Sequence, residues 1–261
     1  MLQFSAHLGY LFTEYPLRER FAAARRAGFT AVEHPAPYSI PASELRSLTR
    51  DEGLDFVQFA LPAGDAVKGE KGFAALPGRE AEFLASVETG LDYAVTAGSR
   101  FVQVQSGLVP EGADAAHLWD TYIANLAVAA DKAADRGLHV LIEPIGAATI
   151  AGYFMDRSDL ALQALAEARR PNLHILFDVF HSTVAGIDPC GFITQSVGQI
   201  GHLHIADHPG RHQPGTGEMD FAAIFTTIQQ SGYRGSIGCE YKPTARTEDS
   251  LDWFQPFRSA A

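Results

Sequence analysis

Four side chains that could hold a metal ion each follow a short apolar run in the second half of the chain. They are Glu143, Asp178, His204 and Glu240. Successive members of this set are separated by roughly one strand and one helix, the repeating unit of a parallel α/β fold. At equivalent ends of neighbouring strands the side chains would converge, and three unpaired carboxylates buried together would be unstable. A divalent cation removes that conflict, so the four residues are candidate metal ligands.

The ligand types indicate which ion to expect. Carboxylate oxygens and an imidazole nitrogen suit Mn²⁺ or Mg²⁺, with Co²⁺ or Zn²⁺ as alternatives, and they leave positions for substrate oxygens. A single acid at a strand end is more often a helix cap or an ion-pair partner, but four in succession favour one shared site. His202 shares a strand face with His204 and is interpreted as a core histidine, because it lies farther from the strand end.

Three more polar residues lie near predicted strand ends. His181 follows Asp178 by three residues, and Arg211 lies in the loop after the seventh predicted strand. Both are candidate substrate-binding residues, since a guanidinium can hold a substrate carboxylate with two hydrogen bonds. The alternatives are a surface histidine and a solvated arginine. Glu33 ends the second strand, where a solvated side chain is the preferred interpretation.

Short apolar runs alternate with longer segments of helical period along the chain. Eight strands are predicted, at residues 2–8, 31–33, 54–60, 101–105, 139–143, 174–178, 202–206 and 236–240. Helix-forming segments lie between them, at residues 18–27, 43–51, 80–97, 118–134, 158–168 and 221–230. A glycine precedes several of the strands, where a helix commonly ends on a left-handed residue; these are Gly28, Gly98, Gly137 and Gly232.

The repeated strand and helix pattern predicts the fold class. Eight units of roughly 33 residues fit an α/β protein with a single (β/α)8 TIM barrel, covering residues 1–261 as one domain. An open sheet that binds a dinucleotide is disfavoured, because no GxGxxG pattern follows the first strand. In TIM barrels the reactive groups lie at the carboxyl ends of the strands, where the four candidate ligands fall.

Composition narrows the range of partners. The 261 residues include 20 Lys and Arg against 31 Asp and Glu, which gives a formal net charge of −11. This balance disfavours nucleic acid and anionic membranes as partners and favours a small-molecule substrate. Cys190 and Cys239 are too few for a disulfide framework. Because no signal-peptide pattern and no apolar run of membrane-spanning length is found, a soluble cytoplasmic protein is expected.

A glycine-rich loop is predicted at residues 62–79, after the third strand. Loops of this length often serve as a lid or a subunit contact, and the alternative is a plain surface excursion. Exposed loops and barrel helices often pair between copies of a chain. A homo-oligomer is therefore compatible with the sequence.

Seven short motifs are distributed over the chain. They are Phe-Ser-Ala-His-Leu at 4–8, Gly-Phe-Thr-Ala-Val-Glu at 28–33, Leu-Pro-Ala-Gly-Asp at 61–65, Leu-Pro-Gly-Arg-Glu at 76–80, Ile-Glu-Pro-Ile at 142–145, Pro-Gly-Thr-Gly-Glu at 214–218 and Gly-Cys-Glu-Tyr-Lys-Pro at 238–243. Together they resemble the hydroxypyruvate isomerase family, within the xylose-isomerase-like TIM barrels. The last two motifs are the most specific, and the motif at 76–80 is also similar to 2-oxo-tetronate isomerases.

The resemblance implies roles for particular residues. Glu143, Asp178, His204 and Glu240 fall on the family's metal positions, and Glu143 and Glu240 fall on its acid/base pair. One departure concerns His204, because hydroxypyruvate isomerases carry glutamine at that position whereas ketose 3-epimerases carry histidine. The resemblance therefore leaves the substrate open among these related families.

The implied reaction interconverts hydroxypyruvate and tartronate semialdehyde through an enediolate, an isomerisation of the aldose-ketose type in carbohydrate metabolism. A ketose 3-epimerase or a 2-oxo-tetronate isomerase on the same site is the nearest alternative. A metal-dependent lyase or dehydratase, an endonuclease-IV-like nuclease and a non-catalytic binding barrel are more remote. The sequence leaves open which glutamate is the base, and whether a proton or a hydride moves.

Overall fold

The strands form one parallel sheet that curves into a barrel. The computed structural model describes residues 2–257. Its strands are β1 (Gln3–His7), β2 (Ala31–Glu33), β3 (Asp55–Phe56), β4 (Gln58–Ala60), β5 (Phe101–Val104), β6 (His139–Ile142), β7 (Leu173–Asp178), β8 (Ile200–Ile205) and β9 (Ser236–Cys239). They are arranged in the order β3-β2-β1-β9-β8-β7-β6-β5-β4. The predicted TIM-barrel class is confirmed.

The third predicted strand differs from the prediction, because the structure divides it into β3 and β4 at Val57. The Val57 N–H donates to the Val32 carbonyl on the β2 side at 2.9 Å. Its carbonyl accepts from the Phe101 N–H on the β5 side at 3.1 Å. This segment therefore joins the two ends of the sheet, and the strong twist of a small barrel interrupts the regular pairing there.

The helices pack outside the strands. They are α1 (Leu17–Arg26), α2 (Ala42–Asp51), α3 (Glu80–Ala97), α4 (Ala115–Ala134), α5 (Ser158–Ala168), α6 (Val179–Val184), α7 (Pro189–Ser196) and α8 (Phe221–Ser231). The six predicted helices are present, and α3 and α8 end on left-handed Gly98 and Gly232 as expected. Across residues 2–257, no helix is long and apolar enough to cross a membrane.

Two short helices after β7, α6 and α7, were not predicted. With six residues, α6 is too short to give a periodic signal. The start of α7 was recognisable, because the Asp188 carboxylate accepts hydrogen bonds from the Cys190 and Gly191 N–H groups and Pro189 occupies the first turn. An acidic cap followed by proline is a common helix start.

The inward face of the barrel changes from apolar to polar toward the carboxyl ends of its strands. A small buried cluster, separate from the main core, takes one residue from each of four strands and one from the junction of β3 and β4: Ala31, Phe101, Leu141 and Leu176, with Val57 at the junction. Because side chains alternate along a strand, the residue two positions later lies on the same face. After four members of the cluster that residue is polar, namely Glu33, Gln103, Glu143 and Asp178. An apolar layer therefore closes the barrel beneath a polar one.

The glycine-rich loop at residues 62–79 is anchored to the barrel in its second half. Its exposed part includes a 3-10 turn, Ala66–Lys68. Farther along, the Ala75 N–H donates to the Ser106 carbonyl at 2.8 Å, and the buried Ala74 carbonyl accepts from Asn125 Nδ2 at 2.8 Å. A role for this loop as a lid or subunit contact stays a prediction.

Two 3-10 turns, Glu248–Ser250 and Asp252–Phe257, follow β9 where a last long helix would be expected. They bring Phe254 against the first strand and helix unit. Its ring stacks on Phe29 with 4.4 Å between centroids and meets Phe4 edge-on at 5.6 Å. The end of the described chain therefore packs on its beginning.

Replacing Phe254 by alanine is expected to lower the free energy of unfolding by about 3–5 kcal/mol, because a buried aromatic ring is lost and a cavity is left. Chemical denaturation followed by circular dichroism measures this change. Val67→Ala is the control, since Val67 is 97% exposed. Its truncation should change the free energy by less than about 0.5 kcal/mol. Equal unfolding midpoints for the two variants would contradict the packing assigned to Phe254.

Candidate active site

The structure brings the four predicted metal ligands together at the carboxyl ends of β6, β7, β8 and β9. These strands are neighbours in the sheet, and Asp178 on β7 pairs in register with His204 on β8. Glu143 and Glu240 directly follow β6 and β9. One potential ligand atom from each of the four side chains lies within 4.8 Å of those from the others.

Asp178 has a different task for each carboxylate oxygen. Oδ1 accepts hydrogen bonds from the Phe180 N–H at 2.7 Å and the His181 N–H at 3.3 Å, which caps α6. Oδ2 accepts a hydrogen bond from Arg211 Nη2 at 3.1 Å. A helix cap and a site residue were alternative interpretations of this acid, and its geometry combines the cap with a position in the cluster.

Glu143 has one satisfied and one free carboxylate oxygen. Oε2 accepts a hydrogen bond from Gln103 Nε2 at 2.6 Å. Within residues 2–257, Oε1 has no hydrogen-bond partner although it is buried. Burial, and then the charge of nearby Glu240, raise the pKa of Glu143 above its ordinary value. This carboxylate is therefore suited to take up a proton or to bind a cation.

Glu240 has the opposite environment. His204 Nδ1 lies 3.2 Å from its Oε2, and His7 Nε2 lies 3.4 Å from its Oε1. Burial would raise the pKa of Glu240, but the charges of His204 and Arg211 hold it well below its ordinary value. The pKa values of the two glutamates predicted as an acid/base pair are therefore shifted in opposite directions.

Arg211 lies inside the site rather than in solvent. Its Nη2 donates to Asp178 and also contacts Glu240 Oε2, while Nε donates to the Glu240 carbonyl at 3.3 Å. The guanidinium carbon lies 5.3 Å from the ring centroids of both Tyr10 and Phe180. Two acids and two aromatic rings thus contact the Arg211 guanidinium, which was predicted from the sequence to bind a substrate carboxylate.

A single carboxylate holds the loop that carries Arg211. Asp207, fully buried after β8, accepts hydrogen bonds from backbone N–H groups of five loop residues at 2.8–3.2 Å: His208, Gly215, Thr216, Gly217 and Met219. The Arg211 carbonyl in turn accepts from the Lys242 N–H at 2.7 Å. The motif at 214–218 therefore has a structural task, since it wraps around Asp207 and fixes the start of the loop.

His181 is buried beside the cluster, at 5% exposure, which excludes the surface alternative. Its Nε2 lies 3.4 Å from Asp178 Oδ2 and 3.9 Å from Glu143 Oε1. Its Nδ1 lies 3.2 Å from Thr149 Oγ1. Burial lowers the pKa of His181 below its ordinary value, and binding of substrate by this residue stays a prediction.

Glu33 is completely buried, so the solvated interpretation of this residue is wrong. Its Oε2 is 2.6 Å from His202 Nε2 and accepts a hydrogen bond from Ser5 Oγ at 3.2 Å. Its Oε1 is 2.9 Å from His204 Nε2. Although burial would raise the pKa of Glu33, His202 and His204 hold it below its ordinary value. His202 is the buried, partnered core histidine that was predicted.

Two further site residues, His7 and Gln103, were not selected from the sequence. His7 is the last residue of β1, and Gln103 is the third residue of β5. Each lies two positions after another inward residue, Ser5 or Phe101. A search for polar residues at strand ends in the first half of the chain, at period two, would have found both.

Among residues 2–257, two groups of side chains have donor types that could hold a metal ion: Glu33 with His202 and His204, and Glu143 with Asp178, His204 and Glu240. In the first group, 2.6 Å between Glu33 Oε2 and His202 Nε2 is a hydrogen-bond distance. It is short for two ligands on one ion with bonds of about 2.0–2.2 Å. The second group has three carboxylates and the unpartnered oxygen of Glu143, so its donor set fits a divalent cation.

The fold and this cluster of side chains define a TIM-barrel protein with acids and a histidine at the end of the barrel that carries chemistry in such proteins. A family model described as a xylose isomerase-like TIM barrel matches residues 21–257. The chain belongs to this family.

Relatives with full-length matches extend the comparison. A 2-oxo-tetronate isomerase from Cupriavidus necator is 40% identical over 257 residues, covering 98% of this chain and 99% of the relative. A hydroxypyruvate isomerase from Escherichia coli is 37% identical over 258 residues, covering 99% and 100%. A crystal structure of an AP endonuclease, family 2, from Brucella melitensis has a TM-score of 0.97 and 37% identity, covering 99% and 100%. The resemblance stated from the motifs, and with it the isomerase class of enzyme, is confirmed.

Replacing Asp207 by alanine is expected to release residues 208–219, because five backbone N–H groups lose a buried charged acceptor. Amide hydrogen exchange in this loop should accelerate by at least roughly tenfold, since a hydrogen bond to a charged group contributes about 1.5–3 kcal/mol. Asp114→Ala is the matched control, because Asp114 caps α4 through the Ala116 N–H at 3.0 Å. Unchanged exchange of the loop in Asp207→Ala would contradict the anchoring role.

Proposed function

We propose that this protein isomerises a short 2-oxo acid by moving the carbonyl group from C2 to C3 through an enediolate, with hydroxypyruvate and tartronate semialdehyde as the substrate pair. The observation that carries the proposal is the convergence of Glu143, Asp178, His204 and Glu240 in one cluster beside Arg211. Acids, an imidazole and a guanidinium are the groups that such a reaction needs.

The same chemistry applies to 2-oxo-tetronate, which is the second candidate substrate. It differs from hydroxypyruvate by one CH2OH group on C3, so the bonds that change at C2 and C3 are the same. The 40% identity to a 2-oxo-tetronate isomerase favours this candidate. A nuclease function has less support, because a net charge of −11 opposes binding to a phosphate backbone.

Different residues of the site would serve different steps of the reaction. Glu143, Asp178, His204 and Glu240 would hold a divalent ion, with Mn²⁺ or Mg²⁺ preferred for this donor set. When bound, the ion would offset the negative charge that develops on the two adjacent substrate oxygens. Glu143 and Glu240 flank Asp178 and His204, so that one carboxylate can remove the proton from C3 while the other delivers a proton to C2.

Arg211 connects substrate binding to the acid/base pair. In the structure its guanidinium contacts Asp178 and Glu240, and its charge contributes to the low pKa of Glu240. A substrate carboxylate competes for the same guanidinium. Once Arg211 holds the substrate, the pKa of Glu240 rises toward the range that suits proton transfer near neutral pH.

Glu240→Gln tests the proposed function directly. The amide keeps an oxygen for the ion but cannot exchange a proton, so kcat at saturating Mn²⁺ should fall by roughly 10²- to 10⁴-fold. Steady-state assays with hydroxypyruvate and 2-oxo-tetronate, supplied with Mn²⁺ or Mg²⁺, provide the measurement. In D2O the wild type should incorporate deuterium into the product.

Two outcomes would contradict this assignment. Near-wild-type turnover in Glu240→Gln would remove Glu240 from the proton transfers. A product free of solvent deuterium would favour a hydride shift. If the wild type acts on neither acid, a panel of free ketoses distinguishes a ketose 3-epimerase.

Arg211→Ala tests the recognition of the substrate carboxylate. The KM for a 2-oxo acid should rise roughly 10- to 100-fold, because a charge-assisted contact is lost, while the KM for any neutral ketose that the enzyme accepts should change little. Arg136→Ala is the control, since Arg136, in the turn after α4, pairs with Glu88 of α3 at 2.7 Å. An unchanged KM for the acids in Arg211→Ala would show that another residue binds the carboxylate.

A further inference from the structure

His204 is the one side chain shared by the two clusters of metal-binding donor types, and its ring nitrogens face different groups. Nε2 is 2.9 Å from Glu33 Oε1, whereas Nδ1 is 3.2 Å from Glu240 Oε2. The side facing Glu33 is fully enclosed, since Glu33 is 0% and His204 2% exposed. The two nitrogens therefore face different carboxylates, Nε2 toward Glu33 and Nδ1 toward Glu240.

We propose that Glu33 is a positioning residue that keeps the proton of His204 on Nε2 and thereby directs the Nδ1 lone pair at the metal site. This inference rests on the proposed function, because it takes His204 as a ligand of the ion. It assigns a role to the pair formed by Glu33 and His202, which the proposed function does not otherwise use.

The chemistry of imidazole explains why an acceptor at one nitrogen controls the other. Without an ion His204 carries the charge described above, whereas an imidazole that binds an ion is neutral and carries one N–H. Only the nitrogen without that proton can bind the cation. A carboxylate close to Nε2 favours the tautomer with its proton on Nε2 and a free Nδ1, and it increases the basicity of Nδ1. Because the surroundings are buried, this electrostatic preference is stronger than it would be in water.

Glu33 can hold His204 because its own carboxylate is fixed from the other side. Oε2 is occupied by His202 Nε2 at 2.6 Å and by Ser5 Oγ at 3.2 Å, which leaves Oε1 for His204. Gly238, the register partner of His204 on β9, completes the arrangement. A Cβ at Gly238 would overlap both Glu33 Oε1 and the His204 ring, so a glycine is needed where these two groups meet.

Glu33→Gln changes the charge and one acceptor of this network while it preserves the shape of the side chain. The affinity for Mn²⁺ should fall roughly 10- to 100-fold, the usual effect of losing a carboxylate partner of a metal-binding histidine. Electron paramagnetic resonance of free Mn²⁺ measures this affinity without substrate or turnover. Affinity within about threefold of the wild type, in a folded Glu33→Gln protein, would overturn the inference.

Two control variants separate positioning from general damage. Phe254→Ala should lower stability through its contacts with Phe4 and Phe29, and Glu14→Gln removes a carboxylate that bonds to the Thr247 N–H. Both should bind Mn²⁺ as the wild type does. If Phe254→Ala weakened Mn²⁺ binding as much as Glu33→Gln, the effect would reflect stability and the inference would be overturned.

A measurement on the wild type keeps the inference testable even if Glu33→Gln does not fold. Two-bond ¹⁵N–¹H spectra of ¹⁵N-histidine-labelled protein loaded with diamagnetic Mg²⁺ distinguish the two imidazole tautomers. A proton on Nε2 of His204 supports the inference, and a proton on Nδ1 overturns it. A wild type that binds neither Mn²⁺ nor Mg²⁺ would overturn the metal site of the proposed function as well, which distinguishes the two failures.

Discussion

The concentration of negative charge at the carboxyl ends of β6 to β9 is the constraint on which the site depends. Glu143, Asp178 and Glu240 bring three carboxylates into one cluster. Such a group is stable only when each acid has a cation, a donor or a proton. Arg211 supplies a cation to two of them, and an amide donor serves the third, whose pKa is raised. A divalent ion would add positive charge to the partial neutralisation that Arg211 already provides.

Much of this arrangement could be predicted from local sequence, because strand periodicity is a local property. The alternation of side chains places Leu141 with Glu143, and Leu176 with Asp178, on the inward face of the barrel. Parallel neighbours then bring the polar members together at one end. The fold class and the convergence of four side chains follow from that pattern, together with the helix-ending glycines.

The supporting contacts could not be predicted in the same way, because they join segments that are distant in sequence. Glu33 is buried only because Ser5 and His202, 28 and 169 residues away, meet its carboxylate. A strand-end acid without knowledge of those partners is indistinguishable from a solvated one. Likewise, the position of Arg211 depends on how the backbone of residues 208–219 wraps around Asp207, a tertiary feature that residue spacing does not encode.

The two oxygens of Asp178 couple the beginning of α6 to the cluster, because one carboxylate bonds to both. Oδ1 caps the start of the helix and accepts a hydrogen bond from the His181 N–H, while Oδ2 accepts one from the Arg211 guanidinium. Any rotation of this carboxylate toward a new partner in the pocket therefore moves or frees the first turn of α6, and with it the His181 imidazole. A partner that turns this carboxylate should therefore lower the order of that short helix, and one that leaves the carboxylate in place should preserve it.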